Sequence, residues 1–158
     1  MSNFEKWDRR FLKLAHEVSS WSKDNSTTVG AIIVDDYKIV RSVGYNGIPR
    51  GLDDDVEDRN QRPLKYKYFS HAEENCLSNM NIVGIPTLHC TIYVTMCPCS
   101  TCARNIIQSG IKTVVYLQTA DHAVSRWEDD AKISLQMFDE AGIVTRNYER
   151  EFINGNET

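Results

Sequence analysis

The spacing of apolar residues near the start of the chain predicts an amphipathic helix. Apolar side chains recur there at intervals of three and four positions, which places them on one helix face. These residues are Phe4, Trp7, Phe11, Leu14, Ala15 and Val18. The pattern ends near Ser19 and Ser20, where the helix is expected to close.

Two segments rich in β-branched residues then predict strands over residues 28–34 and 39–45. The short polar segment 35–38 between them favours an antiparallel hairpin. Asn46-Gly47-Ile48-Pro49 has turn chemistry and ends the second strand. Residues 50–69 are polar and charged without a sustained period, so they are expected to form a long loop of the kind that often carries function.

Helices and strands alternate in the second half of the chain. A helix is expected from Ser70, and Gly110 and Gly142 stand where helices should end. The remaining pattern predicts strands over 91–95, 113–117 and 143–147, with helices over 102–109 and 125–141. Strands separated by helices pair in parallel, so we expect a three-layer α/β/α fold around a mixed sheet of about five strands.

Length and composition favour one compact enzyme-sized domain. The chain has 158 residues, of which 41% are apolar, and the whole of 1–158 is expected to form a single domain with a short C-terminal tail. The longest apolar run, 29–34, is too short to span a bilayer, and the first residues lack the form of a signal peptide. A cytoplasmic location without membrane attachment is therefore predicted.

Net charge and cysteine content indicate the kind of substrate and the role of the cysteines. The net charge is −4, with acidic strings at 53–55 and 128–130, which favours a small-molecule substrate over a nucleic acid. The five cysteines are an odd number, and three of them lie within 97–102. This pattern is typical of metal binding in a reducing compartment and not of a disulfide framework.

Two short strings carry the candidate chemistry. His71-Ala72-Glu73 and Pro98-Cys99-Ser100-Thr101-Cys102 offer one imidazole, two thiolates and one spare carboxylate. Three protein ligands leave a zinc ion one open position for a water, which the metal makes acidic. His-x-Glu followed by Pro-Cys-x-x-Cys is the known signature of zinc deaminases.

Each string also has a plainer interpretation. Ser70 and Glu73 have the spacing of a helix capping box, and Cys99 and Cys102 have that of a redox pair or a structural zinc knuckle. Cys97 could complete a closed, catalytically inert site with three cysteines and one histidine, as in a zinc-stabilised binding module. Both strings fall at predicted helix starts. His71 and Glu73 are two positions apart, so they share a site only beyond the helix end.

With the string Gly44-Tyr45-Asn46-Gly47-Ile48-Pro49-Arg50-Gly51 before the metal motif, the chain resembles the deoxycytidylate (dCMP) deaminases of the cytidine deaminase superfamily. Gln108-Ser109-Gly110-Ile111-Lys112 after the motif supports the resemblance, which covers about residues 5–148. It implies a cytidine-deaminase-like fold, hydrolysis of dCMP to dUMP and ammonia, and a homo-oligomer, usually a hexamer. Other zinc deaminases, acting on a nucleoside, a free base or a polynucleotide, stay as alternatives.

The resemblance also assigns the reacting groups. It implies one catalytic Zn²⁺ held by His71, Cys99 and Cys102, which lowers the pKa of its water to ~7. Glu73 then takes a proton from this water, hydroxide attacks C4 of the cytosine, and Glu73 passes the proton to N3 and later to the departing amine.

Substrate-binding positions follow less directly. The resemblance implies that Asn46 holds the deoxyribose hydroxyl and that Ala72 contacts the substrate, whereas the plainer role of Asn46 is a turn residue. Lys23 and Ser22 offer a cation and a hydroxyl for the phosphate, against the alternative of a solvated lysine. Tyr116, His122 and Arg126 lie at or beyond the ends of the last strands, where ligand groups gather in α/β folds.

The sequence departs from the family pattern at three places. Glu74 stands where the family has an apolar residue, and we expect it to face solvent or an oligomer contact. Residues 51–55 lack the Cys-Ser of allosteric members, which puts a regulatory nucleotide with Mg²⁺ in doubt, and 50–70 contain no ligands for a second zinc. The basic aromatic string 65–69 is interpreted as a loop or interface segment instead of a nucleic-acid channel.

Overall fold

The computed structural model describes residues 1–118 and 125–155, apart from the side chains of Ser125 and Arg126. It contains five helices and five strands, with short 3₁₀ turns at Glu57–Asn60 and Arg150–Asn154 within these ranges. The helices are α1 (Asn3–Ser19), α2 (Lys65–Tyr68), α3 (Ala72–Val83), α4 (Ser100–Gln108) and α5 (Ser125–Glu140). The strands are β1 (Gly30–Val34), β2 (Val40–Tyr45), β3 (Thr91–Val94), β4 (Thr113–Leu117) and β5 (Val144–Tyr148).

The strands form one mixed sheet in the order β2-β1-β3-β4-β5. β1 pairs antiparallel with both β2 and β3, whereas β3 with β4 and β4 with β5 are parallel. The expected hairpin and the parallel pairs after it are confirmed. The polar loop 50–69 is less irregular than predicted, because it holds a 3₁₀ turn and the single-turn helix α2.

Both faces of the sheet are covered, which confirms the three-layer α/β/α architecture. Ala31 and Ile33 of β1 face the core shared with α3, α4 and α5, whereas Ile32 and Val34 face the core under α1. All five residues of β1 are buried. Burial on both faces explains why this strand is a continuous apolar run without polar alternation.

A buried polar network fastens α1 to the sheet. Asp8 is 1% exposed and accepts hydrogen bonds from Arg146 at 2.6 and 2.8 Å. Its carboxylate also accepts from the Tyr93 hydroxyl at 3.1 Å and the Tyr148 hydroxyl at 2.8 Å. A buried charge needs such partners, so the network fixes α1 against β3 and β5.

Two strand glycines permit close packing of helices on the sheet. A Cβ at Gly30 would lie 1.9 Å from the carbonyl oxygen of Ala15 in α1. A Cβ at Gly44 would lie 2.5 Å from both the Ala72 carbonyl oxygen and the Cys76 nitrogen in α3. Gly44 therefore sets how closely the start of α3 approaches β2.

Within the described ranges, no helix combines the length and apolarity needed to cross a membrane.

Candidate metal and catalytic site

Three side chains converge in an arrangement suited to a metal ion. Nδ1 of His71 lies 3.4 Å from Sγ of Cys99 and 3.4 Å from Sγ of Cys102. The three atoms lie within 4.8 Å of one another. On a tetrahedral zinc with bonds of about 2.0–2.3 Å, a nitrogen and a sulfur ligand would be about 3.5 Å apart, so the donor set fits zinc.

The two helix starts place these ligands. His71 is the N-cap of α3, with an extended backbone (φ −76°, ψ 160°), and Cys99 is the N-cap of α4. Cys102 follows Cys99 by three positions, so both sulfurs lie on the same side of the first turn. Because His71 precedes the helix proper, the predicted conflict between His71 and Glu73 on a regular helix does not arise.

The adjacent carboxylates Glu73 and Glu74 have different roles. The backbone N–H of His71 donates to the Glu74 carboxylate at 2.8 Å, so Glu74 caps α3. Helix α3 therefore starts at Ala72 with His71 as cap, and not with Ser70 as cap as predicted. Glu74 is half-buried, and its predicted contact with solvent or an oligomer partner stays a prediction. Glu73 is 4% exposed and has no part in this cap.

Burial and the cysteines shift the acidities within the site. Burial raises the pKa of Glu73 to about 7. A hydrogen bond from the Cys102 thiol, assisted by His71, outweighs burial and lowers the pKa of Cys99 to about 4. The Cys99 sulfur in turn raises the pKa of His71 to about 9. Before a metal binds, the group therefore holds a thiolate beside an imidazolium, and zinc would displace the remaining protons.

Cys97 lies outside the three-ligand group. Two sets of described residues have donor atoms within 4.8 Å of one another, the exposed Asp53, Asp54 and Asp55 and the group of His71, Cys99 and Cys102, and neither set includes Cys97. The Sγ of Cys97 instead lies 3.8 Å from the Pro98 carbonyl oxygen. These observations argue against the closed alternative with three cysteines.

A cavity opens beside the metal ligands and extends towards the loop before β1. Its wall includes the metal ligands His71 and Cys99, their neighbours Ala72 and Glu73, and the predicted substrate residue Asn46. The other lining residues are Asp24, Ser26, Thr27, Val29, Arg62, Lys65, Tyr66, Phe69, Met96, Cys97 and Trp127. The cavity thus joins the candidate reacting groups to polar, cationic and aromatic side chains.

Asn46 is buried and ties the cavity wall together. Its Oδ1 accepts from the Val29 N–H at 2.8 Å. Its Nδ2 donates to the Thr27 carbonyl at 2.9 Å and to the Asp24 carboxylate at 3.1 Å. The side-chain amide therefore orders the loop before β1, and a contact from Asn46 to the sugar hydroxyl stays a prediction.

The structure does not bring the two predicted phosphate residues into the cavity. The Lys23 side chain is 65% exposed and lies 2.9 Å from Asp54 and 3.5 Å from Asp55. The Ser22 hydroxyl donates to the Asn46 carbonyl at 2.7 Å. Neither residue is part of the cavity wall.

The last predicted substrate positions divide into three cases. Ala72 is fully buried and lines the cavity, as expected. Tyr116 is 7% exposed within the core and is absent from the cavity wall, in line with its alternative as a core aromatic. His122 and the Arg126 side chain lie outside the described residues.

Sequence reasoning missed several residues of the site. Asp130 of α5 accepts a hydrogen bond from the Ser100 N–H at 2.7 Å and so caps the helix that carries both cysteines. Lys65, Tyr66 and Phe69 line the cavity, although their string was expected in a loop or interface. Basic and aromatic residues directly before His71 were the available signal. For Asp130, the sequence carried no signal of a role in the site beyond its place in an acidic string.

Comparisons with known proteins agree with this geometry. The family model for the cytidine and deoxycytidylate deaminase zinc-binding region matches residues 5–118. A protein of Aliivibrio fischeri named "Uncharacterized deaminase in luxG 3'region" is 42% identical over 140 residues, covering 87% of this chain and 90% of its own. Human deoxycytidylate deaminase is 34% identical over 151 residues, covering 92% and 82%.

A solved structure is similar across almost the whole chain. The dCMP deaminase of cyanophage S-TIM5, in complex with dCMP and dUMP, superposes with a TM-score of 0.73 at 26% identity. The alignment covers 94% of this chain and 99% of the phage protein. The chain belongs to the cytidine and deoxycytidylate deaminase family of zinc-binding proteins.

Proposed function

We propose that the protein deaminates dCMP with water, giving dUMP and ammonia. The observation that carries this proposal is the cavity, in which Glu73 and the ligands His71 and Cys99 share a wall with Asn46 and Lys65. The similarity to human deoxycytidylate deaminase and to a phage enzyme complexed with dCMP and dUMP supports this substrate.

His71, Cys99 and Cys102 would hold the zinc through one nitrogen and two sulfurs. When bound, zinc lowers the pKa of a water to ~7 and so supplies a nucleophile at neutral pH. Glu73 lies in the cavity wall outside the metal-ligating group and can accept a proton there. It delivers this proton to N3 of the cytosine ring, takes a second proton from the hydroxyl added at C4, and passes the second proton to the amino group, which leaves as ammonia.

The rest of the cavity would position the nucleotide. Ala72 lines the cavity beside Glu73 with a small apolar side chain that offers the base no polar partner. Phe69 and Trp127 add aromatic surface to the wall, which suits a pyrimidine. Asn46 would present the second lone pair of Oδ1 to the deoxyribose hydroxyl, since its first accepts from Val29.

A substrate panel tests the proposal. The zinc-loaded protein is offered dCMP, deoxycytidine, cytosine and single-stranded DNA, and ammonia release is measured at equal concentrations of cytosine base. We expect dCMP to give the highest kcat/KM. A higher kcat/KM for the nucleoside, the free base or the polymer would contradict the assignment of dCMP as the substrate.

A polynucleotide is the second candidate, because Arg62, Lys65, Tyr66 and Phe69 combine charge and aromatic rings at the cavity. Channels for single-stranded nucleic acid use this combination over several nucleotides. The net charge of −4 and the exposed acidic string at 53–55 weigh against a long polyanion. The DNA arm of the panel decides between the two.

We also propose one deaminase domain over 1–158, a cytoplasmic location and a homo-oligomer, a hexamer by resemblance. Exposed apolar side chains support an assembly: Ile82 is 66% exposed, Val83 63% and Leu88 62%. Light scattering on a sizing column would measure the subunit number. A monomer at micromolar concentration would exclude the assembly.

A further inference from the structure

A second lysine is better placed for the substrate's phosphate than Lys23. The Lys65 side chain is 12% exposed and lines the cavity, whereas the Lys23 side chain is 65% exposed and lies outside the cavity wall. Lys65 comes from α2, six positions before the metal ligand His71. Its ammonium is therefore carried by the segment that leads directly into the site.

The ammonium of Lys65 is held in a fixed position with one donor to spare. Its Nζ donates to Asp24 at 2.6 Å and to the Ser26 hydroxyl at 2.9 Å. It also lies 5.2 Å from the centre of the Phe69 ring. An ammonium group has three N–H donors, so these two hydrogen bonds leave one for a ligand.

Asp24 does not cancel the attraction of this site for an anion. Its carboxylate accepts hydrogen bonds from five donors, so its negative charge is already compensated within the protein. The donors are both N–H and hydroxyl of Ser26, the Thr27 N–H, Asn46 Nδ2 and Lys65 Nζ. Arg62 adds a second cation to the same wall. A lysine buried to this extent would be costly without Asp24, so the pair keeps a charged donor in the cavity.

We propose that Lys65 determines specificity for a nucleoside monophosphate, its ammonium donating to the 5′-phosphate while Asp24 and Ser26 hold it in place. This inference rests on the proposed function, because it needs a cytosine nucleotide whose base lies at Glu73. Asp24 acts as a positioning residue, since it binds Lys65 and Asn46 through its two oxygens. One carboxylate thus couples the proposed phosphate and sugar contacts.

The alternative is that Lys65 and Asp24 form a structural ion pair that fastens loop 50–69 to the loop before β1. A structural pair would affect every substrate equally. A phosphate contact would affect dCMP and leave deoxycytidine unchanged. The ratio of kcat/KM for these two substrates therefore separates the two roles.

Lys65→Gln is the test variant, because its amide can still donate to Asp24 after the charge is lost. We expect the dCMP to deoxycytidine ratio of kcat/KM to fall roughly 10- to 100-fold, the worth of a hydrogen bond to a charged group. Lys65→Arg should restore most of this ratio. Lys23→Gln is the matched control and should leave the ratio unchanged. Zinc content and the melting temperature verify that each variant folds.

Three outcomes overturn different statements. An unchanged ratio in a folded, zinc-loaded Lys65→Gln protein would exclude the phosphate role of Lys65. If Lys23→Gln lowers the dCMP to deoxycytidine ratio as much as is expected for Lys65→Gln, Lys23 binds the phosphate. A wild-type protein that does not favour dCMP over deoxycytidine would instead remove the proposed function itself. If Lys65→Gln unfolds, Lys65→Met is the second variant: a folded, zinc-loaded Lys65→Met protein should show the same fall in the dCMP to deoxycytidine ratio, and an unchanged ratio would exclude the phosphate role.

Discussion

The backbone N–H of His71 donates to the Glu74 carboxylate at 2.8 Å, and this contact separates the tasks of two neighbouring acids. Glu74 satisfies a donor at the open end of α3 and fixes the residue that carries the metal-facing imidazole. Glu73 lies buried in the cavity wall and does not accept the hydrogen bond from the His71 N–H.

Replacing Glu74 is expected to weaken the fold more than the chemistry. Glu74→Ala removes the acceptor for the His71 N–H, and losing such a cap costs about 0.5–2 kcal/mol. Urea unfolding measures the loss. Glu74→Gln, which can still accept the hydrogen bond, is the control and should unfold close to the wild type. A Glu74→Ala protein with normal stability but no turnover would show that Glu74 acts in the reaction.

The three-ligand group predicts that substitutions of Cys102 and Cys97 have different effects on zinc content. Cys102→Ser removes one of the three ligands, so the variant should lose most of its zinc. Cys97→Ser should keep one zinc per chain, because Cys97 lies outside the group. X-ray absorption should count two sulfurs on the metal. Three sulfurs, or loss of zinc in Cys97→Ser, would support the closed, inert site.

Gly44 allows α3 to approach β2, so a single methyl group there should disturb the site. The Cβ of Gly44→Ala would meet two backbone atoms of α3 at 2.5 Å, and overpacking of this kind costs about 1–3 kcal/mol. We expect lower stability and weaker zinc retention. Gly47→Ala is the control, since nothing lies within 4 Å of the added carbon. Equal stability of the two variants would contradict this role for Gly44.

Asp130 is expected to support the metal site through the start of α4. Asp130→Ala leaves the Ser100 N–H without its cap, and loss of a partner behind metal ligands lowers metal affinity by roughly 10–100-fold. Competition with a chelator measures the affinity. Asp129→Ala, on the same helix with an 83% exposed side chain, is the control. If Asp130→Ala leaves the zinc affinity unchanged, Asp130 stabilises the fold but does not support the metal site.

Much of the fold could be predicted, because its signals are local. The period of α1, the β-branched residues of β1 and β2 and the glycines after α4 and α5 each act within a few positions. The start of α3 was missed by one residue. Ser70 and Glu73 have the same capping spacing as His71 and Glu74, and tertiary packing decides between the two pairs.

The metal ligands could be predicted because their spacing is a local motif, but the cavity wall could not. Lys65 and Asp24 are 41 positions apart, and the fold brings their side chains together. Asp130 reaches Ser100 from a helix 30 positions away. Lys23 seemed the better phosphate residue because sequence spacing does not show that Asp54 and Asp55 draw its ammonium away from the cavity.

Turnover of dCMP by zinc-loaded Glu73→Gln protein tests the central claim most directly. Glutamine keeps the shape of the buried side chain but cannot carry the proton. If Glu73 is the proton carrier, the variant should retain one zinc per chain while kcat falls at least about 100-fold, the usual contribution of general acid–base catalysis. A kcat near that of the wild type, with zinc bound, would contradict it.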